Sequence, residues 1–161
     1  MTKKDRKLAF NIYLFLAALF ITSLVVSNLI FQKFVSWQPF GEVSIWNANL
    51  FEVSVGILPY PITFLITDLV SEMYGRKKAN QLVTTGIFAS FFSMGIILLA
   101  DYMPAITSSP INDETFNKVF ALSPIAVLAS MLAYLFAQYI DVAIYHFWKK
   151  ITKGKHLWLR N

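Results

Sequence analysis

Four long apolar stretches, Leu8 to Phe31, Phe51 to Val70, Leu82 to Ala100 and Val119 to Trp148, leave this chain few folds to choose from. Crossing a hydrocarbon core of roughly 30 Å takes about 20 helical residues, and each stretch supplies that or close to it. Inside lipid, backbone polar groups must be satisfied within a helix or a closed barrel. No segment alternates polar and apolar residues for long enough to build barrel strands. The spacing therefore predicts an all-α fold: a polytopic membrane helix bundle with four spans in one domain, residues 1–161, the last span broken early by Pro124. Composition agrees, since 57% of residues are hydrophobic and 14% charged, against about one half and one quarter in soluble domains.

Charge placement predicts which way the bundle is threaded. Lys3, Lys4, Arg6 and Lys7 precede the first stretch, Arg76, Lys77 and Lys78 fill the loop after the second, and Lys149, Lys150, Lys153, Lys155 and Arg160 follow the fourth. The other two loops hold only Lys33 and Lys118 as cations. Cations are retained on the cytoplasmic side, so both termini are expected there. The same clumping argues against nucleic acid as a partner, which would want the net charge of +5 spread over a soluble face. The first stretch follows cations as a secretory signal does, but its apolar core is too long and no small-x-small site follows "SNLIFQKF", so it is expected to be a retained span.

Both outer loops carry structural signals. In "SWQPFGEVSIWN", Trp37 and Trp46 are placed as interface anchors, with room for a short hairpin or re-entrant piece. In "MPAITSSPINDETF", the "SSPINDE" turn is suited to cap a short helix.

Ionisable residues within spans are expensive and normally face a partner or a wet cavity. In "TFLITDLVSEMYGRKK", Asp68 lies eight residues before Arg76, roughly 12 Å inside the basic cluster at 1.5 Å per residue. It is expected to line a cavity; the alternative is a structural pairing with a neighbouring helix. Glu72, one turn nearer the surface on the same face, either joins that cavity or meets the basic loop. Pro59 and Pro61 should bend or break the second stretch, leaving carbonyls, Thr63, Thr67 and Asp68 around any hollow.

The fourth stretch repeats the theme. Tyr134, Gln138, Asp141 and Tyr145 recur at intervals of four, three and four, one stripe of a helix. Aromatic rings alternating with an amide and a carboxylate suit a flat, polar heterocycle; the competing reading is tyrosine hydroxyls satisfying Asp141 across a helix interface. Ala129, Ala133 and Ala137 form a small-residue seam elsewhere on that helix, for packing or a partner. In the first stretch Thr22, Ser23, Ser27 and Asn28 are interhelical glue, or, for Asn28, a ligand contact.

No cysteine is present, so thiolate chemistry is excluded. The chain has no phosphate-cradling glycine loop, HExxH or serine elbow, and His146 and His156 have no metal spacing. An enzyme is not expected, and neither a cofactor nor a metal is implied.

The segment "YPITFLITDLVSEMYGRKKAN" resembles the queuosine precursor transporter family, also described as vitamin uptake transporters, at Pro61, Thr63, Phe64, Thr67, Asp68, Glu72, Tyr74 and Gly75. "SNLIFQK", with Ser27, Asn28 and Lys33, and "AQYIDVAIYHFWKKITKGKHLWLRN" are similar to two further family patches. The family has six membrane helices and continues past the "LWLRN" loop, so the resemblance implies that two spans follow and that this chain is truncated.

The resemblance also implies import of 7-deazaguanine precursors of queuosine, such as the cyano and aminomethyl bases or queuine, across the bacterial inner membrane. A guanine-like edge pairs its N1 hydrogen and 2-amino group with one carboxylate. That assigns Asp68 or Asp141 to the edge, Gln138 to another polar edge and Tyr134 to stacking, with the remaining carboxylate for a proton or the aminomethyl cation; Thr67, Asn28 and Glu72 complete the expected substrate-binding set. Expected partners are a nucleobase-like small molecule and the lipid bilayer, with a homodimer or coupling partner left open. The alternative is a substrate-binding or assembly subunit of a multi-component importer without transport activity of its own.

Overall fold

A computed structural model describes residues 3–36, 44–45, 48–49, 52–120 and 124–152. Five helices dominate it: α1 (Lys3–Ile30), α2 (Tyr60–Tyr74), α3 (Arg76–Asp101), α4 (Asp113–Phe120) and α5 (Pro124–Ile151). Between α1 and α2 come β1 (Phe34–Ser36), β2 (Ser44–Ile45), β3 (Ala48–Asn49), β4 (Glu52–Ser54) and a 3-10 turn, Val55–Ile57. Among the described residues, Lys3–Ile30, Val55–Tyr74 and Arg76–Asp101 are long and apolar enough to cross a membrane. The 28-residue α5 is the fourth long helix of the bundle, about 42 Å end to end.

The apolar residues divide between a thin core and a wide outer surface. Phe20 and Leu24 of α1, Ile66 and Val70 of α2, Leu82 and Val83 of α3, and Val142 of α5 are buried together. Phe15, Phe88 and Phe136, by contrast, are 68%, 72% and 66% exposed, which is the arrangement lipid rather than water selects. Both α2 and α3 pack against α1 and against α5, so they form the middle of the bundle. The α1–α3 approach is close: a Cβ added at Gly86 would lie 2.5 Å from the Phe20 ring.

The corner between α2 and α3 is one residue, Gly75, at φ +82°. That left-handed backbone region is costly for a residue with a Cβ, and it lets the chain reverse without a loop. Beside it the Tyr74 hydroxyl donates to the Ala9 carbonyl at 2.7 Å, the Tyr13 and Tyr74 rings meet edge-on at 5.3 Å, and the Lys78 ammonium lies 5.4 Å above the Tyr13 ring. Arg76, Lys77 and Lys78 are thus the first turn of α3, not the loop expected for them. Lys149 and Lys150 close α5.

The second apolar stretch is also redrawn. Residues 52–57 of it are strand and 3-10 turn, and the helix starts at Tyr60 with Pro59 at the N-cap and Pro61 in its first turn. Proline costs nothing there, because a helix's first N–H groups have no intrahelical partner. The prolines therefore start the helix where a break within it was expected. Carbonyls near this start are taken by threonines: Thr63 donates to the Tyr60 carbonyl at 2.7 Å and Thr67 to that of Phe64 at 2.8 Å.

The first connection contains the expected hairpin, β2 pairing antiparallel with β3, and β1 pairs with β4 through Phe34↔Ser54 to Ser36↔Glu52. These short ribbons qualify the all-helical expectation. Trp37 and Trp46 lie outside the described residues. In the second connection the Asn112 carboxamide oxygen accepts from the Thr115 N–H at 2.8 Å and caps α4. The fourth apolar stretch is accordingly divided: its first two residues end α4, and α5 begins at Pro124.

Candidate functional site

Helix α2 presents hydroxyls at every fourth residue, Thr63, Thr67 and Ser71, all fully buried. Facing them is the stripe of α5, with Tyr134, Gln138 and Tyr145 buried and Asp141 half-buried. Four-residue spacing drifts little around a helix, so each row stays on its face for two turns and the rows meet along a polar seam.

Contacts cross this seam at successive levels. The Gln138 amide donates across it to the Thr63 hydroxyl at 3.4 Å and, along α5, to the Tyr134 hydroxyl at 2.9 Å. One level on, Asp141 lies within hydrogen-bonding reach of Thr67, and it is close enough to Asp68 for the two carboxylates to act on one another electrostatically. Toward the basic end, the Tyr145 hydroxyl donates to Glu72, whose carboxylate also pairs with the Lys149 ammonium at 2.8 Å. At the other end the Tyr60 and Tyr134 rings meet at 5.5 Å. Beyond them a cavity of about 10 Å³ is lined by Asn28, Tyr60, Ser90 and Tyr134 among others.

Buried acceptors in this seam are left over. Gln138 Oε1, Asp141 Oδ2 and Ser71 Oγ have no hydrogen-bond partner among the described residues. Native proteins leave few such groups, each costing about 1–3 kcal/mol when unsatisfied. A donor-bearing ligand or ordered water fits this row of acceptors, and apolar filling does not.

Of the residues expected to form a site, Asp68, Thr67, Tyr134, Gln138 and Asp141 come together. Asn28 donates to the Ser90 hydroxyl at 3.4 Å and reaches the group only as a wall of the outer cavity. Glu72 is drawn to Tyr145 and Lys149. Of the two stripe tyrosines, Tyr134 accepts from Gln138 and Tyr145 donates to Glu72. Ser27 and Ser23 are buried as interhelical residues, Ser27 donating to the Gly56 carbonyl, while Thr22 is exposed. Ala129, Ala133 and Ala137 are exposed as well.

Tyr60, Ser71, Ser90 and Lys149 were not among the expected site residues. A hydroxyl recurring every fourth position from Thr63 was a usable signal for Ser71. The others become neighbours only through packing. Among the described residues, no three His, Asp or Glu side chains are grouped as metal ligands.

Comparisons with known proteins bear on this geometry. The family described as "Putative vitamin uptake transporter" matches residues 54–161, from the end of β4 through α5 to the last residue. A protein of Bacillus subtilis (strain 168) named "Probable queuosine precursor transporter" is 29% identical over 109 residues, covering 67% of this chain and 47% of the relative. The chain thus spans about half the length of that curated relative. No solved structure matches. The family match takes in more than half of the residues, the whole of the polar seam included, and the chain is accordingly a member of this family.

Proposed function

We propose that this protein imports a planar, guanine-like base of the queuosine precursor class across the bacterial inner membrane, and that the base binds in the α2–α5 seam. In this reading α5 is the fourth span, and the basic ends of α1, α3 and α5 lie in the cytoplasm. The carrying observation is the pair of buried, partnerless acceptors one turn apart on α5, Gln138 Oε1 and Asp141 Oδ2. A 7-deazaguanine edge brings the complementary donors, N1–H and the 2-amino group. It is flat enough to stack on Tyr134, whose ring already packs against Tyr60.

The roles divide by position. Asp141, beside Thr67, accepts from the base edge. Gln138 has its amide hydrogens committed to Tyr134 and Thr63, which leaves its oxygen to accept. Asp68 is the second carboxylate, suited to a proton or to the ammonium of an aminomethyl base. Asn28 stands on the entry side. The family name and the relative's name support transport over catalysis.

The test is uptake of radiolabelled base by cells that lack endogenous synthesis and express Asp68→Asn or Asp141→Asn. Losing a charged acceptor worth about 1.5–3 kcal/mol should lower uptake roughly ten-fold or more. Normal uptake by both variants at matched membrane levels would remove the site assignment.

A further inference from the structure

Between the carboxylate pair and the basic end, the α2–α5 seam has the composition of a passage but is shut. Ser71 is fully buried and its hydroxyl has no partner among the described residues. A helical serine ordinarily bonds back to the carbonyl four residues earlier, as Ser93 does to Ala89 at 2.9 Å. With Gln138 Oε1 and Asp141 Oδ2 it makes a row of unsatisfied oxygens running down the seam. The seam ends at Glu72, where α2 and α5 are tied by the Tyr145 hydroxyl and by the Lys149 ammonium, which also lies 3.4 Å from the Glu72 carbonyl. Both ends of this ion pair are about one-third exposed, 31% for Lys149 and 37% for Glu72. The tie therefore sits at the mouth, where water can replace its bonds at little cost.

We infer that the seam below Asp141 is the cytoplasmic exit for cargo and that Glu72, Tyr145 and Lys149 form its gate. Breaking the gate frees the basic ends of α2 and α5 to part. The buried hydroxyl and carboxylate then meet water that satisfies them, so opening is repaid by hydration of groups that are unsatisfied when shut. A seam lined with leucine would have no such compensation. Glu72 thereby acts on release and is distinct from the groups that hold the base. The inference rests on placing cargo between α2 and α5.

The chain has no cysteine, so Ser71→Cys gives a single, nearly isosteric reporter. In inside-out membrane vesicles without cargo, its labelling by a membrane-impermeant maleimide should be slow. Adding Glu72→Gln or Lys149→Gln should speed it roughly three- to ten-fold, the scale of one or two lost interactions. Tyr145→Phe should give a smaller rise, and exchanging the charges with Glu72→Lys and Lys149→Glu should restore slow labelling. A control cysteine at Val83, fully buried in the apolar core, should stay unreactive throughout. Unchanged labelling at Ser71→Cys in all of these backgrounds would overturn the gate, as would an equal rise at Val83→Cys, which signals general loosening. Because no base is added, this outcome is independent of whether the cargo assignment succeeds.

Discussion

Two helix pairs in this bundle are joined by unlike materials. Between α1 and α3, Phe20 and Leu24 close on Gly86, with the Phe20 ring occupying the space a side chain at Gly86 would need. Between α2 and α5 the facing residues are Thr63, Thr67, Ser71 and Glu72 against Tyr134, Gln138, Asp141 and Tyr145, joined by the Gln138–Thr63 and Tyr145–Glu72 hydrogen bonds with acceptors to spare. Lipid tails compete on equal terms with apolar side chains, so an apolar seam in a membrane holds only through close, shape-matched contact. A hydrogen-bonded seam holds in a different way, because water or a polar ligand can take over its bonds one by one. The contrast fits a scaffold role for the α1–α3 pair and the binding and movement proposed for the α2–α5 pair.

The sharpest way to break that contrast is to put volume into the scaffold. Gly86→Val places methyl groups where Phe20 already sits, and overpacking of this kind costs roughly 1–3 kcal/mol or more. We expect a marked fall in the melting temperature of the detergent-purified protein and in its level in the membrane. A tolerated valine would mean that this seam is not tightly packed. Gln138→Leu should do the reverse: it removes a buried amide with an unsatisfied oxygen, so stability should change by less than about 1.5 kcal/mol while uptake of the base is largely lost. If Gln138→Leu destabilised the protein as strongly as Gly86→Val, the polar seam would be scaffold too. The smallest effect is expected at the edge between the two regions, where Thr84 of α3 meets the Tyr139 hydroxyl at 2.6 Å on an exposed surface. Interhelical hydrogen bonds in membrane proteins average roughly 0.6 kcal/mol, so Thr84→Val should shift the thermal midpoint only slightly and leave uptake near its original rate.

Much of the site was legible because its spacing is local. Tyr134, Gln138, Asp141 and Tyr145 share a face by helical periodicity alone, and Asp68 stands out as a carboxylate deep in an apolar stretch. The fold was legible in outline but not at its joints. Hydropathy measures length and composition, so Phe51 to Leu58 read as the beginning of a span; its strand forms by pairing with Phe34–Ser36, a partner that a local window does not contain. Three adjacent cations read as a loop because cations are unfavourable in a helix's first turn. The single glycine at φ +82° nevertheless brings them there.

By itself, the sequence determined that this is a membrane helix bundle, which end is basic and which residues of α2 and α5 are too polar for lipid, because those properties depend on composition and on a 3.6-residue period. Only the tertiary structure decided that Glu72 meets a lysine 77 residues away instead of joining the proposed binding group. It also decided that Gly86 receives Phe20 and that the hydroxyls of α2 face the stripe of α5. The physical reason is that a partner's identity depends on how whole helices settle against one another, and that is a property of all their contacts at once.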